Sequence, residues 1–398
     1  MRVALVCDWL TTVGGAESVL LALHEMYPNA PIYTSQYNKK GIDWFLDADV
    51  RTGWLQVFPS CFRRLIGPLR QHYFSHLDLS DYDLVISVTG AEAKSVHTAS
   101  NPLKTRTKKT KTEQPEQTEH HCVHLCYCHV PTQYYWDKYD EYLENPGFGI
   151  FNPLARLALK TVVKPLRKKD FESAQRPDQF ITISNYASAQ IKKYYKRESV
   201  VIYPPLDLKK FSTDFSTSNK TKAEKSQAKK STSYITTSRQ VNWKRLDICV
   251  KACLKTGADL TVIGDGPEHN NLVKIANGAK NIKFLTTMSQ GKLKKYLAES
   301  DVYLFPSLEP FGLAPIEAMA CGTPVIAFGK GGALDYIKPG TNGLFFNKQT
   351  PASLIEAMDS LDPSDYDPNV VKNTTREFDK NIFKTKIKEL IRAKVKKI

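Results

Sequence analysis

The stretch Ser307-Leu-Glu-Pro-Phe-Gly-Leu-Ala-Pro-Ile-Glu-Ala-Met-Ala-Cys-Gly322 is the part of the chain that says most about its fold. An apolar, β-rich run over residues 301–305 precedes it, and the small and apolar residues after Gly312 predict a helix. The pattern therefore predicts a strand, a loop that contains Glu309 and a helix that contains Glu317. Free amides at the start of such a helix face the carboxyl end of the strand, where an anion or a sugar hydroxyl can bind. Taken alone, the two acids favour an acidic turn followed by a surface glutamate over a binding site.

Short, near-continuously apolar runs alternate with helical segments along both halves of the chain. Such runs are typical of parallel strands that helices cover on both faces. Right-handed β-α-β winding then predicts an α/β protein with two doubly wound, Rossmann-like domains. The predicted strands span residues 2–7, 82–88, 124–128 and 179–183 in the first half and 259–264, 281–285, 301–305 and 323–328 in the second, and the first helix spans about 16–26.

The length of 398 residues exceeds the size at which a single core usually stops growing. Pro204-Pro205 ends the last apolar run of the first half, because proline neither donates to a strand ladder nor continues a helix. We predict an N-terminal domain over 1–203, a C-terminal domain over 204–379 and a basic amphipathic helix over 380–398. Polar stretches at about 98–121 and 212–233 cannot supply a core and are predicted to be exposed.

The net charge of +15 is concentrated in three segments. Residues 101–112 hold five basic residues and no acid, 216–232 hold five lysines against one glutamate, and 380–398 hold eight basic residues against one glutamate. The rest of the chain is therefore nearly neutral. This distribution favours attraction to an anionic surface over a face that reads nucleic acid, and no nucleic-acid-binding motif accompanies it. We expect no nucleic-acid partner.

The segment 54–70 combines apolar residues near one helical face with three arginines and no acid: Phe58, Phe62, Leu65 and Leu69 with Arg63, Arg64 and Arg70. It predicts either a helix packed on the sheet or one that makes peripheral contact with an anionic membrane. Gly67-Pro68 is expected to shorten such a helix. No apolar run approaches the ~20 residues of a membrane span, and residues 1–8 lack the pattern of a cleaved signal peptide. We expect a cytoplasmic protein, in peripheral contact with the inner face of the membrane if this segment binds lipid.

The cluster Cys122-Val-His-Leu-Cys-Tyr-Cys-His129 has the residue types of a metal site. Zinc sites usually combine two ligand pairs, and no second pair at suitable spacing occurs elsewhere in the sequence. Alternation instead places Cys122, His124, Cys126 and Cys128 on one face of a buried strand, where cysteine acts as a small apolar residue. We predict neither a metal site nor a disulfide here.

Glu309 and Glu317, followed by Cys321-Gly-Thr-Pro-Val-Ile326 and Gly331-Gly332, resemble the donor site of the family 4 glycosyltransferases. Other stretches resemble successive landmarks of the same family, and their common order over about 330 residues makes the likeness specific. These stretches are Gly14-Gly15-Ala-Glu17, His129-Val-Pro131, Ser238-Arg239, Lys244-Arg245, Val262-Ile-Gly264-Asp-Gly266-Pro267 and Gly340-Thr-Asn-Gly343.

The resemblance implies a GT-B architecture, with a donor cleft between two Rossmann-like domains and a terminal helix that crosses back onto the first. It implies that Glu309 binds hydroxyls of the donor sugar and that Glu317 binds the ribose. Arg239 and Lys244 would neutralise the diphosphate, whose charge grows as it leaves. Further donor contacts are implied for Gly264, Phe311, Gly312 and Leu313, for the amides of Gly14 and Gly15, and for His129 beside the sugar.

Each implied role has a structural alternative. Arg239 and Lys244 fit ordinary surface cations, Gly14-Gly15 fits a loop turn, and His129 fits a core histidine with satisfied hydrogen bonds. Asp335 stands where the family generally carries a glutamate. This shorter acid keeps the charge but reaches less far toward a hydroxyl.

The resemblance also implies transfer with retention of anomeric configuration and without a metal or other cofactor. No carboxylate nucleophile is evident, which favours attack on the face that the leaving group departs from. Residues 127–137 and 183–186 resemble a branch associated with mannosyl transfer in bacterial surface polysaccharides. The expected donor is GDP-mannose, with a UDP-hexose as the alternative, and the expected acceptor is a glycan or a lipid-linked glycan. A GT-B sugar-nucleotide epimerase and a non-catalytic binding protein stay open, and product analysis separates them.

Overall fold

The structure is a computed structural model that describes residues 1–60, 66–98, 122–144, 149, 152–211 and 232–395. These residues divide into two compact units. The first consists of Met1–Pro205 and Asn381–Ile398, and the second of Leu206–Lys380. Most of the two polar stretches predicted at 98–121 and 212–233 lies outside the described residues.

The first unit is built on a seven-stranded sheet with the order β3-β2-β1-β4-β5-β6-β7, in which every neighbouring pair is parallel. The strands are β1 Val3–Cys7, β2 Ile32–Thr34, β3 Val50–Thr52, β4 Leu84–Thr89, β5 Val123–Cys128, β6 Gln179–Thr182 and β7 Ser199–Val201. The helices are α1 Gly15–Met26, α2 Gly67–Ser75, α3 Tyr139–Glu144, α4 Asn152–Ser173 and α5 Asn185–Tyr195. Every residue of β1, β4 and β5 is buried, as expected for central parallel strands.

The second unit repeats this plan with six parallel strands in the order β10-β9-β8-β11-β12-β13. The strands are β8 Ser233–Thr237, β9 Asp259–Ile263, β10 Ile282–Leu285, β11 Val302–Phe305, β12 Val325–Phe328 and β13 Gly343–Phe346. The helices are α6 Leu208–Phe211, α7 Leu246–Thr256, α8 His269–Ala276, α9 Gln290–Glu299, α10 Leu313–Ala320, α11 Ala333–Tyr336, α12 Pro351–Ser360 and α13 Pro368–Asn373. Both sheets have the doubly wound strand order, so the α/β prediction of two Rossmann-like folds is confirmed.

The final helix, α14 (Lys380–Val395), packs on the first unit. Phe383, Ile387 and Ile391 are buried along one face. The Phe383 ring lies 5.9 Å from that of Tyr127, centroid to centroid, and Lys384 forms a 2.6 Å ion pair with Glu25 of α1. Ile382 on the same helix is exposed, so the predicted amphipathic helix does not bury all of its apolar residues.

The segment 54–70 is not the single amphipathic helix that its apolar spacing suggests. Trp54–Val57 is one 3₁₀ turn, residues 61–65 lie outside the described part of the chain, and α2 begins at Gly67. Pro68 is accommodated in the first turn of α2, where its missing amide is not needed. Arg70 is buried against Glu92, with its Nε 2.6 Å from the carboxylate, so it is not available to a lipid headgroup.

The predicted cysteine strand is β5. Its side chains are buried, and no group of three or more His, Cys, Asp or Glu in the described residues could hold a metal ion. His124 Nε2 lies 2.8 Å from the Ser87 hydroxyl, and burial lowers the pKa of this imidazole to about 3. His124 is therefore a neutral core residue. Of the helices in the described ranges, none combines the length and apolarity needed to cross a bilayer.

The packing of α14 gives a direct stability test. Ile387→Ala should lower the free energy of unfolding of the first unit by about 2–4 kcal/mol, because it leaves a cavity in a buried face. Ile382→Ala, on the same helix but exposed, should change it by less than about 0.5 kcal/mol. Urea unfolding followed by circular dichroism measures both. Equal effects of the two substitutions would show that the helix does not pack through Ile387.

Candidate functional site

The loop between β11 and α10 is shaped by a glycine in a backbone conformation that other residues avoid. Gly312, the residue before α10, has φ of +92°. A Cβ at this position would lie 2.6 Å from Cζ of Phe305 and 3.1 Å from the Tyr336 hydroxyl. Gly312 is thus required for the chain to turn from the strand into the helix.

Two further glycines hold this loop from the side. Gly331 has φ of +75°, and a Cβ on it would lie 2.4 Å from the carbonyl oxygen of Glu309. The Gly332 amide donates to that same oxygen at 2.8 Å, and a Cβ on Gly332 would lie 2.3 Å from the carbonyl oxygen of Pro310. Backbone therefore packs on backbone, which fixes where Glu309 leaves the loop.

The side chain of Phe311 takes no part in an exposed site. It is 3% exposed, its ring centroid lies 5.5 Å from that of Tyr336 and 5.8 Å from that of Phe378, and the Tyr336 hydroxyl donates to its carbonyl oxygen at 2.9 Å. A donor contact at Phe311 must therefore come from its backbone amide. Leu313, which follows Gly312, is half-buried and begins α10.

Lys244 and Glu309 meet at the carboxyl edge of the second sheet. Lys244 Nζ lies 2.5 Å from Glu309 Oε1, and the two side chains are 20% and 18% exposed. Lys244 ends the 3₁₀ turn Asn242–Lys244. A partly exposed pair of this kind can exchange its partner for a ligand, because neither charge is committed to the core.

Arg239 lies on the loop after β8 and is exposed, with its guanidinium 5.8 Å from the ring centroid of Trp243. Gly264 shapes this loop. It has φ of +135°, and a Cβ on it would lie 2.0 Å from the carbonyl oxygen of Ser238. Gln240 reinforces the approach by donating from Nε2 to the Gly264 carbonyl at 2.8 Å. Gly264 therefore positions the Arg239 loop, which is a structural role in addition to the predicted donor contact.

Glu317 lies on α10, and burial raises the pKa of its carboxyl group to about 7. Within the described ranges, no hydrogen-bond donor or cation is in contact with this carboxylate. A half-buried acid without a partner is costly to ionise, so it is suited to accept hydrogen bonds from an incoming ligand. Asp335 lies in the first turn of α11 and is half-buried.

The predicted residues of the first unit lie at the carboxyl edge of its own sheet. Gly14 precedes α1 and Gly15 begins it, and a Cβ on Gly14 would meet only the tip of the Glu17 side chain, at 2.8 Å. His129 follows β5, and its amide donates to the Thr89 carbonyl at 2.8 Å. Burial lowers the pKa of His129 to about 4, and its Nε2 has no hydrogen-bond partner among the described residues. The ring is therefore neutral at pH 7.

Asp8, which the sequence analysis did not single out, is a fixed charge beside this edge. It follows β1 and accepts hydrogen bonds from the Thr89 hydroxyl at 3.0 Å and from the amides of Gly90 at 2.9 Å, Ala91 at 3.1 Å and Ala93 at 2.8 Å. Its charge raises the pKa of His129, although burial has the larger effect. The sequence feature that could have identified Asp8 is its position as an acid directly after a buried strand.

Two buried ion pairs of the first unit also escaped the sequence analysis. Lys94 Nζ lies 2.6 Å from Asp170, whose carboxylate also accepts from Thr132, Trp136 and Tyr195. In the second pair Arg70 binds Glu92, which also accepts from Tyr134. The partners are 76 and 22 residues apart in the sequence, so a local sequence pattern does not predict these contacts. Three of the side chains that donate to these carboxylates, Thr132, Tyr134 and Trp136, lie within residues 131–136. The two ion pairs therefore fix the position of the segment that follows His129.

Three Asp-x-Asp pairs occur in the sequence, at 47–49, 81–83 and 365–367, and this spacing can hold a metal-bound diphosphate. In the structure Asp49 pairs with Arg51 at 2.7 Å, Asp83 pairs with Arg2 at 3.7 Å, and Asp367 accepts from the Asn369 amide at 2.8 Å at the start of α13. In each pair, one aspartate therefore already has a partner within the protein.

Two doubly wound sheets, with an acidic loop and helix at the edge of the second, define the GT-B class of fold. Solved structures support this class. The chain is similar to Anabaena Alr3699/HepE in complex with UDP, with a TM-score of 0.67 and 18% identity over 99% of this chain and 100% of that one. At this identity the likeness shows the fold alone.

Residues 218–378 match the family described as Glycosyl transferases group 1, so the second unit carries a group 1 glycosyltransferase domain. Among curated proteins, the chain is 33% identical over 108 residues to an uncharacterized glycosyltransferase of Methanocaldococcus jannaschii. It is 31% identical over 118 residues to a GDP-mannose-dependent monoacylated alpha-(1-6)-phosphatidylinositol monomannoside mannosyltransferase of Corynebacterium glutamicum. Each alignment covers 26% of this chain, and they span 28% and 31% of those proteins.

The raised pKa of Glu317 predicts a pH-dependent stability difference. The unfolded carboxyl ionises near pH 4.5 and the folded one near pH 7, so the wild type loses stability as the pH rises between these values. Glu317→Gln removes this loss. The difference in free energy of unfolding, variant minus wild type, should therefore be about 1–3 kcal/mol more favourable to the variant at pH 8 than at pH 4. Urea unfolding at both pH values measures it.

Glu356→Gln is the matched control, because Glu356 is exposed on α12. Its effect should be the same at pH 4 and pH 8. A pH-independent effect of Glu317→Gln would mean that this carboxylate is not buried as described.

Proposed function

We propose that this protein is a retaining, metal-independent glycosyltransferase that moves a hexose from a nucleotide sugar to a glycan or lipid-linked acceptor. The observation that carries the proposal is the partly exposed Lys244–Glu309 pair, held by a glycine-shaped loop beside the start of α10. The group 1 match over residues 218–378 includes both residues.

The chemistry required is the breaking of the bond between the anomeric carbon and the leaving phosphate oxygen. Arg239 and Lys244 are cations that can stabilise the negative charge developing on the diphosphate. The acceptor hydroxyl forms the new bond on the same face of the sugar, and its proton passes to the departing phosphate. Retention and independence of metal rest on the family resemblance.

Glu309 and Glu317 have distinct roles in this proposal. Glu309 accepts hydrogen bonds from hydroxyls of the sugar once Lys244 has left it to bind the diphosphate. Glu317 accepts hydrogen bonds from the ribose hydroxyls. These hydroxyls supply the donors that its carboxylate lacks in the described structure. The start of α10, at Gly312 and Leu313, offers backbone amides to the donor.

The residues of the first unit keep the roles that the resemblance implies. We propose that His129, neutral at pH 7, contacts the sugar and that the amides of Gly14 and Gly15 contact the diphosphate. The free Nε2 of His129 supports its part, since it can donate to or accept from a hydroxyl.

We propose GDP-mannose as the donor, with a UDP-hexose as the second candidate. A GDP-mannose-dependent mannosyltransferase among the relatives and the likeness of residues 127–137 to a mannosyl-transfer branch support the first. The UDP and UDP-glucose complexes of Anabaena Alr3699/HepE support the second. The proposed process is cell-surface polysaccharide synthesis in the cytoplasm, at the inner face of the membrane.

Substitution of the two central residues tests the transfer reaction. Glu309→Gln and Arg239→Ala should each lower kcat/KM by at least about a hundredfold, because each removes a charged contact made to the donor. Glu356→Gln and Arg376→Ala, exposed changes of the same chemistry in the same unit, should leave it unchanged. Acceptor-dependent release of nucleotide measures transfer. Near-normal activity in both central variants would refute the site, and release without an acceptor would refute transfer.

The nucleotide is tested by calorimetry with GDP and UDP. We expect GDP to bind at least about tenfold more tightly, equivalent to about 1.4 kcal/mol. Tighter binding of UDP would replace the mannose proposal with the UDP-hexose one. Failure of both to bind would contradict a nucleotide-sugar site altogether.

A further inference from the structure

The helix α4 (Asn152–Ser173) is divided into two unlike halves. All four of its buried side chains lie between residues 163 and 173: Val163, Leu166, Asp170 and Ser173. Over 152–162 every residue is half-buried or exposed. The second half therefore anchors the helix on the first unit, and the first half presents a free surface.

An apolar stripe runs along this free surface. Leu154 and Leu157 are 67% and 61% exposed, and with Ala158 they follow the i, i+3, i+4 spacing of one helical face. Such a stripe normally points into the core. On α4 the stripe points away from the core, because the buried residues of the second half occupy the opposite side of the helix.

The charge on α4 has one sign up to residue 169, and the two acids of the helix, Asp170 and Glu172, lie in its last turn. Residues 152–169 contain six basic residues and no acid. Arg156 donates to the carbonyl oxygens of Leu143 and Glu144 at 2.9 and 2.6 Å, and Arg167 donates to that of Tyr135 at 2.5 Å. The four lysines are exposed, and no carboxylate of the described residues lies within ion-pair distance of them: Lys160, Lys164, Lys168 and Lys169.

Acids do lie near the start of α4, on α3. They are Asp140, Glu141 and Glu144, and Glu141 is paired with Lys138 at 3.0 Å. The lysines lie about two to five turns further along α4. Exposed leucines with unpaired lysines therefore form a local surface that is both apolar and cationic.

We propose that the first half of α4 binds an anionic lipid surface. Leu154 and Leu157 enter the boundary between headgroups and acyl chains, and the lysines from Lys160 onward contact lipid phosphates. A second copy of the chain fits this stripe poorly, since two helices of the same positive charge would repel each other. The inference deepens the proposed function, because it brings the enzyme to a lipid-linked acceptor.

Vesicle flotation of the full chain tests this surface. We expect binding to vesicles of phosphatidylcholine with phosphatidylglycerol, little binding to phosphatidylcholine alone, and release as salt is raised. Leu154→Ser combined with Leu157→Ser should lower the partition coefficient by at least about tenfold, because two buried side chains are lost from the interface. Val370→Ser, at a 45% exposed position of the second unit, is the matched control and should bind like the wild type.

Lys160→Gln combined with Lys164→Gln should weaken binding and flatten its salt dependence. Wild-type protein that stays unbound, or a Leu154/Leu157 variant that binds normally, would overturn the proposal. So would a wild-type dimer in light scattering that this variant converts to monomer while vesicle binding is absent.

Nucleotide binding is measured on the same variants. It should be unchanged, because the stripe lies in the first unit and the Lys244–Glu309 pair in the second. Failure of nucleotide binding with intact vesicle binding would count against the proposed function alone, and the reverse result would count against the lipid surface alone.

Discussion

The close approach of Gly331 and Gly332 to the backbone of Glu309 and Pro310 is the constraint on which the candidate site depends. A side chain at either glycine would need space that carbonyl oxygens already occupy, at 2.4 and 2.3 Å. The turn after β12, which contains Gly331 and Gly332, consequently packs on the backbone of the loop that carries Glu309. Gly312 fixes the end of this loop, where α10 begins. Glu309 can therefore keep one position while its charge partner changes.

Two sets of charged residues in the described structure differ in burial and in function. Lys94–Asp170 and Arg70–Glu92 are almost fully buried, and hydrogen bonds from neighbouring side chains satisfy their carboxylates. Breaking such a pair leaves a buried charge, so these residues hold the structure together. Lys244 and Glu309 are partly exposed, and the half-buried carboxylate of Glu317 has no hydrogen-bond donor among the described residues. They retain interaction energy that a ligand can use, which is the physical reason to place donor binding there.

Much of the fold was predictable because it rests on local patterns. The near-continuous apolar runs predicted the central strands of both sheets, and the small residues after Gly312 predicted α10. The position of Lys244 next to Glu309 was suggested only by family resemblance, since 65 residues separate them in the sequence. The single helix expected over 54–70 was wrong, because residues 54–57 form a 3₁₀ turn and α2 begins only at Gly67. Apolar spacing also does not reveal that Arg70 has a buried partner. Asp8 and the Lys94–Asp170 pair depend on contacts between distant strands and helices, which periodicity does not encode. The burial of the Phe311 ring is equally invisible, because it requires knowing that Tyr336 and Phe378 lie beside it.

Hydrogen exchange of the backbone amides, measured by mass spectrometry with and without nucleotide, tests the central claim most directly. The claim is that the edge formed by residues 238–245, 264–266 and 309–317 holds the nucleotide part of the donor. Saturating GDP or UDP should slow exchange in these three segments and leave α8 and α12, which lie elsewhere in the same unit, unchanged. Nucleotide that binds without protecting any of the three segments would contradict the account.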